Sequence, residues 1–169
     1  MVQARGIIES AAISYLLSYK CLISKHLELS YFSGEPFSAY FVPAITTAAF
    51  SCELALKELN RRESSKTPKG HNLEKLFNLL SQANQENVIE RTINAYNYKS
   101  RTLNISEELS KEKFVELLNL HKDSFTIWRY FYEGISSMDL DFLEAFMFCL
   151  NGVEIEYGEY ILTQLPYRK

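Results

Sequence analysis

Apolar residues recur at three- and four-residue steps along almost the whole of this 169-residue chain, and no segment sustains the alternation of a strand. A helix brings such positions onto one face, so each run forms a stripe that must be buried against another. Ile8, Ala12, Tyr15, Tyr19, Leu22, Ile23 and Leu27 predict a first helix from about Ile7 to Tyr31, stopped by Ser33-Gly34-Glu35-Pro36. A second, from about Ser38 to Arg62, carries Phe41, Ile45, Ala48, Ala49, Cys52, Leu56 and Leu59. Pro43 is tolerable there because it lies in the first turns.

After a polar loop to Gly70, short helices are expected over Leu73 to Ser81 and from Asn84 to about Tyr98. A fifth, from about Leu109 to Glu133, places Phe114, Leu118, His121, Phe125, Trp128 and Tyr132 on one stripe. A last helix, from Asp139 to about Gln164, carries Leu143, Phe146, Met147, Leu150, Tyr157 and Ile161. The expected fold is all-α: an up-and-down helical bundle of four long helices, with two short ones between the second and the fifth. It is expected to form a single domain over residues 1–169.

Three polar islands interrupt or border these stripes. They are Glu53 with Lys57, the segment Lys69-Gly70-His71-Asn72-Leu73, and Trp128-Arg129-Tyr130-Phe131-Tyr132-Glu133. A polar group taken out of water without a partner is costly, so each island needs one. At about 100° per residue, Glu53 lies roughly 80° from the centre of its stripe and Lys57 further round. Arg129 and Glu133 lie about 60° and 100° from theirs. Such boundary positions suit two roles. Arg129 can pair with Glu53 or Glu133 to fasten helices two and five, or the same residues can line a polar groove open to a partner.

The three histidines read differently. His71 or Asn72 is placed to cap a helix start, His121 falls on an apolar stripe as a neutral core histidine, and His26 reads as a helix-surface residue. No zinc-type cluster, phosphate loop, nucleophile elbow or dinucleotide fingerprint occurs, so neither metal nor cofactor is expected. Cys21, Cys52 and Cys149 are far apart and read as buried free thiols.

A net charge of −3 provides no global electrostatic footprint for nucleic acid. Glu9 interrupts the N-terminal apolar run, and the stretch from Phe41 to Cys52 is too short to cross a bilayer. A cytoplasmic protein that engages no membrane is the expectation. Eleven Phe and eleven Tyr suggest an aromatic dimer surface, with Phe142, Phe148 and Tyr160 at the margin of the last stripe.

The islands also carry a family resemblance. Ser51-Cys52-Glu53-Leu54-Ala55-Leu56-Lys57 resembles the E-x-x-x-K segment on the second helix of HEPN domains (higher eukaryotes and prokaryotes nucleotide-binding). Lys69-Gly70-His71-Asn72-Leu73-Glu74-Lys75-Leu76-Phe77 is similar to their KGHDLxxLF segment. Phe125-Thr126-Ile127-Trp128-Arg129-Tyr130-Phe131-Tyr132-Glu133 is similar to their F-x-x-x-RY-x-YE segment. The three occur in the expected order, and the bundle covers nearly the whole chain.

The resemblance implies a helical, usually dimeric domain. Many members are metal-independent ribonucleases in toxin, defence or RNA-processing systems; others pair with small nucleotidyltransferases or are noncatalytic partners. Ribonuclease members carry an Arg, then four to six intervening residues, then a His, a pattern absent from this chain. The leading expectation is therefore a noncatalytic, homodimeric HEPN-like module, in a toxin–antitoxin or defence setting. It would act through a nucleotidyltransferase or other protein partner, or through RNA or a nucleotide. The alternatives are a divergent metal-independent endoribonuclease that uses Arg129 with a histidine brought by tertiary folding, and a structural subunit only. The candidate site is Glu53, Lys57, His71, Arg129, Tyr130 and Glu133.

Overall fold

The computed structural model describes residues 2–34, 38–105, 107–130 and 137–167. Their regular structure is helical: α1 (Val2–Ser33), α2 (Phe41–Ser64), α3 (Leu73–Asn78), α4 (Gln82–Thr102), α5 (Lys111–His121), α6 (Ser124–Arg129), α7 (Leu140–Leu150) and α8 (Glu154–Gln164), with a closing 3₁₀ turn, Leu165–Tyr167. The all-α helical bundle expected from the periodicity is the observed fold.

Helix α2 is the hub, packing on α1, α3, α6 and α7. Its small residues Ala44, Ala48 and Ala55 let neighbours approach closely, and the Ser51 hydroxyl donates to the Ala12 carbonyl of α1 at 2.7 Å. Pro43 falls in the first turn, where no intrahelical N–H is required. Helix α1 also has the length of a membrane span, and an 18-residue window within Gly6–Ser33 reaches a mean hydropathy of 1.3. Its inward residues Ala12, Leu16, Tyr19 and Ile23 belong to the bundle core.

Two stretches expected to be continuous are each divided. The last breaks at Asn151-Gly152-Val153. Gly152 takes φ +71°, its N–H donates to the Cys149 carbonyl at 3.1 Å, and that of Val153 donates to Phe148 at 3.1 Å. That pattern is a glycine C-cap, open to Gly152 because it has no Cβ to clash at positive φ. The fifth breaks at Lys122-Asp123, which frees the Lys122 carbonyl to accept the Leu73 N–H at 2.8 Å. The fourth helix, expected to be short, runs for 21 residues.

A buried charged network joins α1, α4, α7 and α8. Lys99 reaches Glu144, and it contacts Asp141 at 2.7 Å; both Lys99 and Glu144 side chains are 1% exposed. Glu144 also accepts from Tyr19 at 2.7 Å, from Tyr157 at 3.2 Å and from Gln164 at 3.4 Å. Burial, followed by the Glu144 charge, pushes both tyrosine hydroxyls well above their ordinary pKa.

Three expectations are corrected here. Phe142, Phe148 and Tyr160 are buried within the chain, so they form no dimer surface; Phe142 stacks on Phe146, Phe148 stacks on Tyr160 and meets Tyr157 at 4.7 Å, and all three belong to the core. His26 is buried rather than on the surface, with Nδ1 3.0 Å from Ser38 Oγ, and desolvation lowers its pKa. Cys21 is exposed, whereas Cys52 and Cys149 are buried free thiols, Cys149 pushed up to about 11 by desolvation.

Candidate functional site

Glu53 and Lys57 lie one turn apart on α2, and Lys57 Nζ donates to Glu53 at 2.7 Å. The Glu53 side chain is 1% exposed, so its charge must be compensated. The loop after α2 supplies the second partner. Gly70 adopts φ +95°, a conformation that side-chain-bearing residues rarely take. The next residue, His71, lays its ring over Glu53, with Nδ1 3.0 Å from each carboxylate oxygen. A carboxylate accepts only, so Nδ1 carries the hydrogen and Nε2 is left on the side away from Glu53. The His71 side chain is 58% exposed.

The loop is pinned from both sides. Asn72 is the cap of α3, its side chain accepting from the Lys75 N–H at 2.8 Å, while its Nδ2 donates to Asp123 at 3.0 Å. Of the two residues expected to share the capping role, Asn72 performs it and His71 faces Glu53. The break between α5 and α6 thus has a use, since it turns Asp123 and the Lys122 carbonyl toward the loop.

Helix α6 then runs back along α2. Ser124 and Trp128 point inward, and Phe125 stacks on Phe50 of α2 with centroids 4.6 Å apart. Phe125 meets His71 at 5.5 Å and the Arg129 guanidinium at 5.2 Å. Arg129 also lies 4.8 Å over the Tyr130 ring and donates to its hydroxyl at 2.9 Å. Arg129 and Tyr130 are both exposed.

His71 and Arg129 therefore meet at Phe125, with Glu53 and Lys57 joined to His71 and Tyr130 joined to Arg129, although the five come from three separate segments. Glu133 lies outside the described residues. The expected Arg129–Glu53 ion pair is not formed: the Glu53 oxygens receive Lys57 and His71, and Arg129 is held by aromatic faces. Phe50, which supports the cluster from α2, reads in the sequence as an ordinary apolar position, whereas Phe125 opens the F-x-x-x-RY-x-YE segment without indicating that it meets Phe50 and His71.

His121 stands apart as a structural residue. Its Nε2 accepts the Asp139 N–H at 3.0 Å, and Nδ1 faces Ser124 Oγ at 3.0 Å. An accepting Nε2 fixes the neutral Nδ1–H form, and desolvation holds the pKa at about 4. This agrees with its reading as a neutral core histidine.

Two hollows lie elsewhere. One is bordered by Arg62, whose charge is met by Glu9 and Glu58, and by Arg91, which is paired with Glu154. The other, between α4 and α8, is lined by Tyr98, Ile155, Tyr157 and Gly158 and is mainly apolar. Among the described residues no group of His, Cys, Asp and Glu is arranged to hold a metal ion. Compared with family models, curated proteins and solved structures, the chain matches none.

Chemically, the cluster offers an oriented imidazole with an outward nitrogen, a guanidinium braced on two aromatic rings, and a lysine that neutralises the buried carboxylate. Such a surface suits an anionic or hydrogen-bonding partner.

Proposed function

We propose that this chain is a noncatalytic HEPN-like helical module that dimerises and acts through a protein or nucleotide partner docked at the Glu53–His71–Arg129 cluster. The observation that carries the reading is that the three motif segments are linked, Glu53 to His71 and His71 to the Phe125 ring that also holds Arg129, with His71 and Arg129 both exposed. A fastening device would bury its ion pairs; here two of the residues stay accessible to a partner.

The test has two arms. Light scattering should report about twice the 19.6 kDa chain mass. Native protein purified from its own host should retain a partner that a His71→Ala/Arg129→Ala variant loses, and that partner should rebind when purified. A 19.6 kDa species together with identical retained proteins would overturn the reading.

One observation favours a second reading, metal-independent RNA cleavage. Tertiary folding brings His71 and Arg129 to one ring, supplying a proton acceptor and a cation for the charge of the transition state. Mixed RNA incubated in EDTA would then be cut by native protein and spared by both Arg129→Ala and His71→Ala. Intact RNA in all three samples excludes it.

A further inference from the structure

We infer that the groove between α4 and α8 receives an amphipathic helix of a protein partner, one whose apolar stripe is flanked by lysines or arginines. This surface shares no residue with the Glu53–His71–Arg129 cluster, and the inference stands whether or not that cluster docks anything.

The hollow between the two helices is lined by Tyr98 from α4 and by Ile155, Tyr157 and Gly158 from α8, and it is mainly apolar. Ile155 is 90% exposed, and Leu162, two turns further along α8, is 52% exposed. Positions 155, 158 and 162 fall on one face of a helix. The apolar strip therefore outruns the hollow, extending for about 10 Å along α8. A helix laid in the groove covers strip and hollow together, with one large side chain entering the hollow. A small molecule seated in the hollow would leave Leu162 in water.

Gly158 points to use rather than to folding. It lies inside α8, where glycine is less favourable than alanine. A Cβ added there would meet the Tyr98 ring at 3.6 Å, an ordinary contact, so packing does not demand its absence. What the missing side chain does is keep the hollow open between Tyr98 and Ile155.

Charge selects the partner. At about 100° per residue, Glu159 and Glu156 fall about 40° and 100° to one side of Ile155, and Gly158 about 60° to the other, against Tyr98. Both acids are exposed, and no described cation pairs with either. Glu154 differs, since Arg91 meets it. On the α4 side the exposed charge is Arg101, one turn after Tyr98. The partner's basic flank is thus the one laid along α8, away from α4, where it meets Glu156 and Glu159. The same two acids repel the anionic headgroups of a membrane surface.

The test pans the full chain against a displayed library of helix-forming peptides about five turns long. Their apolar positions are fixed three and four residues apart and all others vary, with Gly158→Leu as the counter-selection. Recovered peptides should carry Lys or Arg along one flank and be depleted in Asp and Glu. One of them, synthesised, should bind at least tenfold more weakly to Gly158→Leu, to Ile155→Ser and to Glu156→Lys/Glu159→Lys, and more weakly still as salt rises.

Gly158→Leu should melt no earlier than the native chain. If it does melt earlier, Ile155→Ser decides alone, because a side chain 90% exposed supports no packing. A library that yields no peptide preferring the native chain, or peptides without the basic bias, overturns the inference. So does a native mass in light scattering that falls in Ile155→Ser, which would give the groove to a second copy. Phosphatidylserine vesicles that bind the native chain and not Ile155→Ser would give it to a lipid surface, and would overturn it as well.

Discussion

Glu144 and Glu53 are both carboxylates withdrawn from water on core helices, yet their partners face opposite ways. Glu144 is enclosed by Lys99, Tyr19, Tyr157 and Gln164, all of them buried. Glu53 is compensated by Lys57 and by a histidine that is 58% exposed, beside an exposed arginine. A closed network spends every donor on the fold. An open one anchors a side chain from within and leaves its far end for something else. Burial of a charge therefore does not mark function by itself; the accessibility of its partners separates the two cases.

The largest effect expected from this contrast is at Lys99. Lys99→Met leaves Glu144 without its cation inside the bundle, and breaking a buried pair this way costs about 3–5 kcal/mol. Urea unfolding should show the loss as a lower midpoint with an unchanged slope. A loss below about 1 kcal/mol would mean that water reaches Glu144, and the contrast with Glu53 would vanish.

Next comes a pH effect on the closed side. His121 has a folded pKa of about 4 against an ordinary 6.5. Between those values the unfolded chain takes up a proton that the folded chain refuses. The His121 contribution is thus full above pH 6.5 and is lost as pH falls toward 4, by about 3 kcal/mol at the foot of the window. His26, also lowered by burial, acts in the same direction. Asp139, raised by burial from 3.8, has a window that begins at the acid end. Unfolding free energies at pH 7.5, 5.5 and 4.5 should fall less steeply for His121→Asn than for the native chain, and parallel curves would remove His121 as the cause.

Smaller changes are expected at the open cluster. Glu53→Gln keeps the shape and removes the charge, while Lys57 and His71 can both turn to water, so the cost is about 1 kcal/mol. The sharper sign is at His71, whose ring should lose its fixed orientation. Crystallography or ring NMR of Glu53→Gln would show this, and an unmoved imidazole would deny Glu53 its orienting role.

Much of this was legible in the sequence, for reasons that differ by region. The three- and four-residue periodicity gave the helices, because burying a stripe needs only a periodic pattern. Asn151-Gly152 marks the break between α7 and α8, but Leu150, Tyr157 and Ile161 continue one stripe across it and mask it. The break after His121 had no such mark; it is fixed by the tertiary bond from Leu73 to the freed Lys122 carbonyl.

Of the candidate site, Glu53, Lys57, His71, Arg129 and Tyr130 were visible as polar residues at stripe margins. Their pairing was not. The rotation of α6 on α2 is set by Phe125 stacking on Phe50, and that gives Glu53 to His71 in place of Arg129. Lys99 and Glu144 were missed altogether, because a lone Lys in a polar helix and a lone Glu in an apolar one look like surface residues until the helices are packed.

The contrast is tested most directly by the thermal midpoint of the His71→Ala/Arg129→Ala variant. Two accessible side chains that serve a partner should shift it by less than about 3 °C, under roughly 1 kcal/mol for a chain of this size. Lys99→Met, measured alongside, should fall several times further. A double variant that melts as early as Lys99→Met would show that His71 and Arg129 fasten the bundle, and would contradict their assignment as an open binding surface.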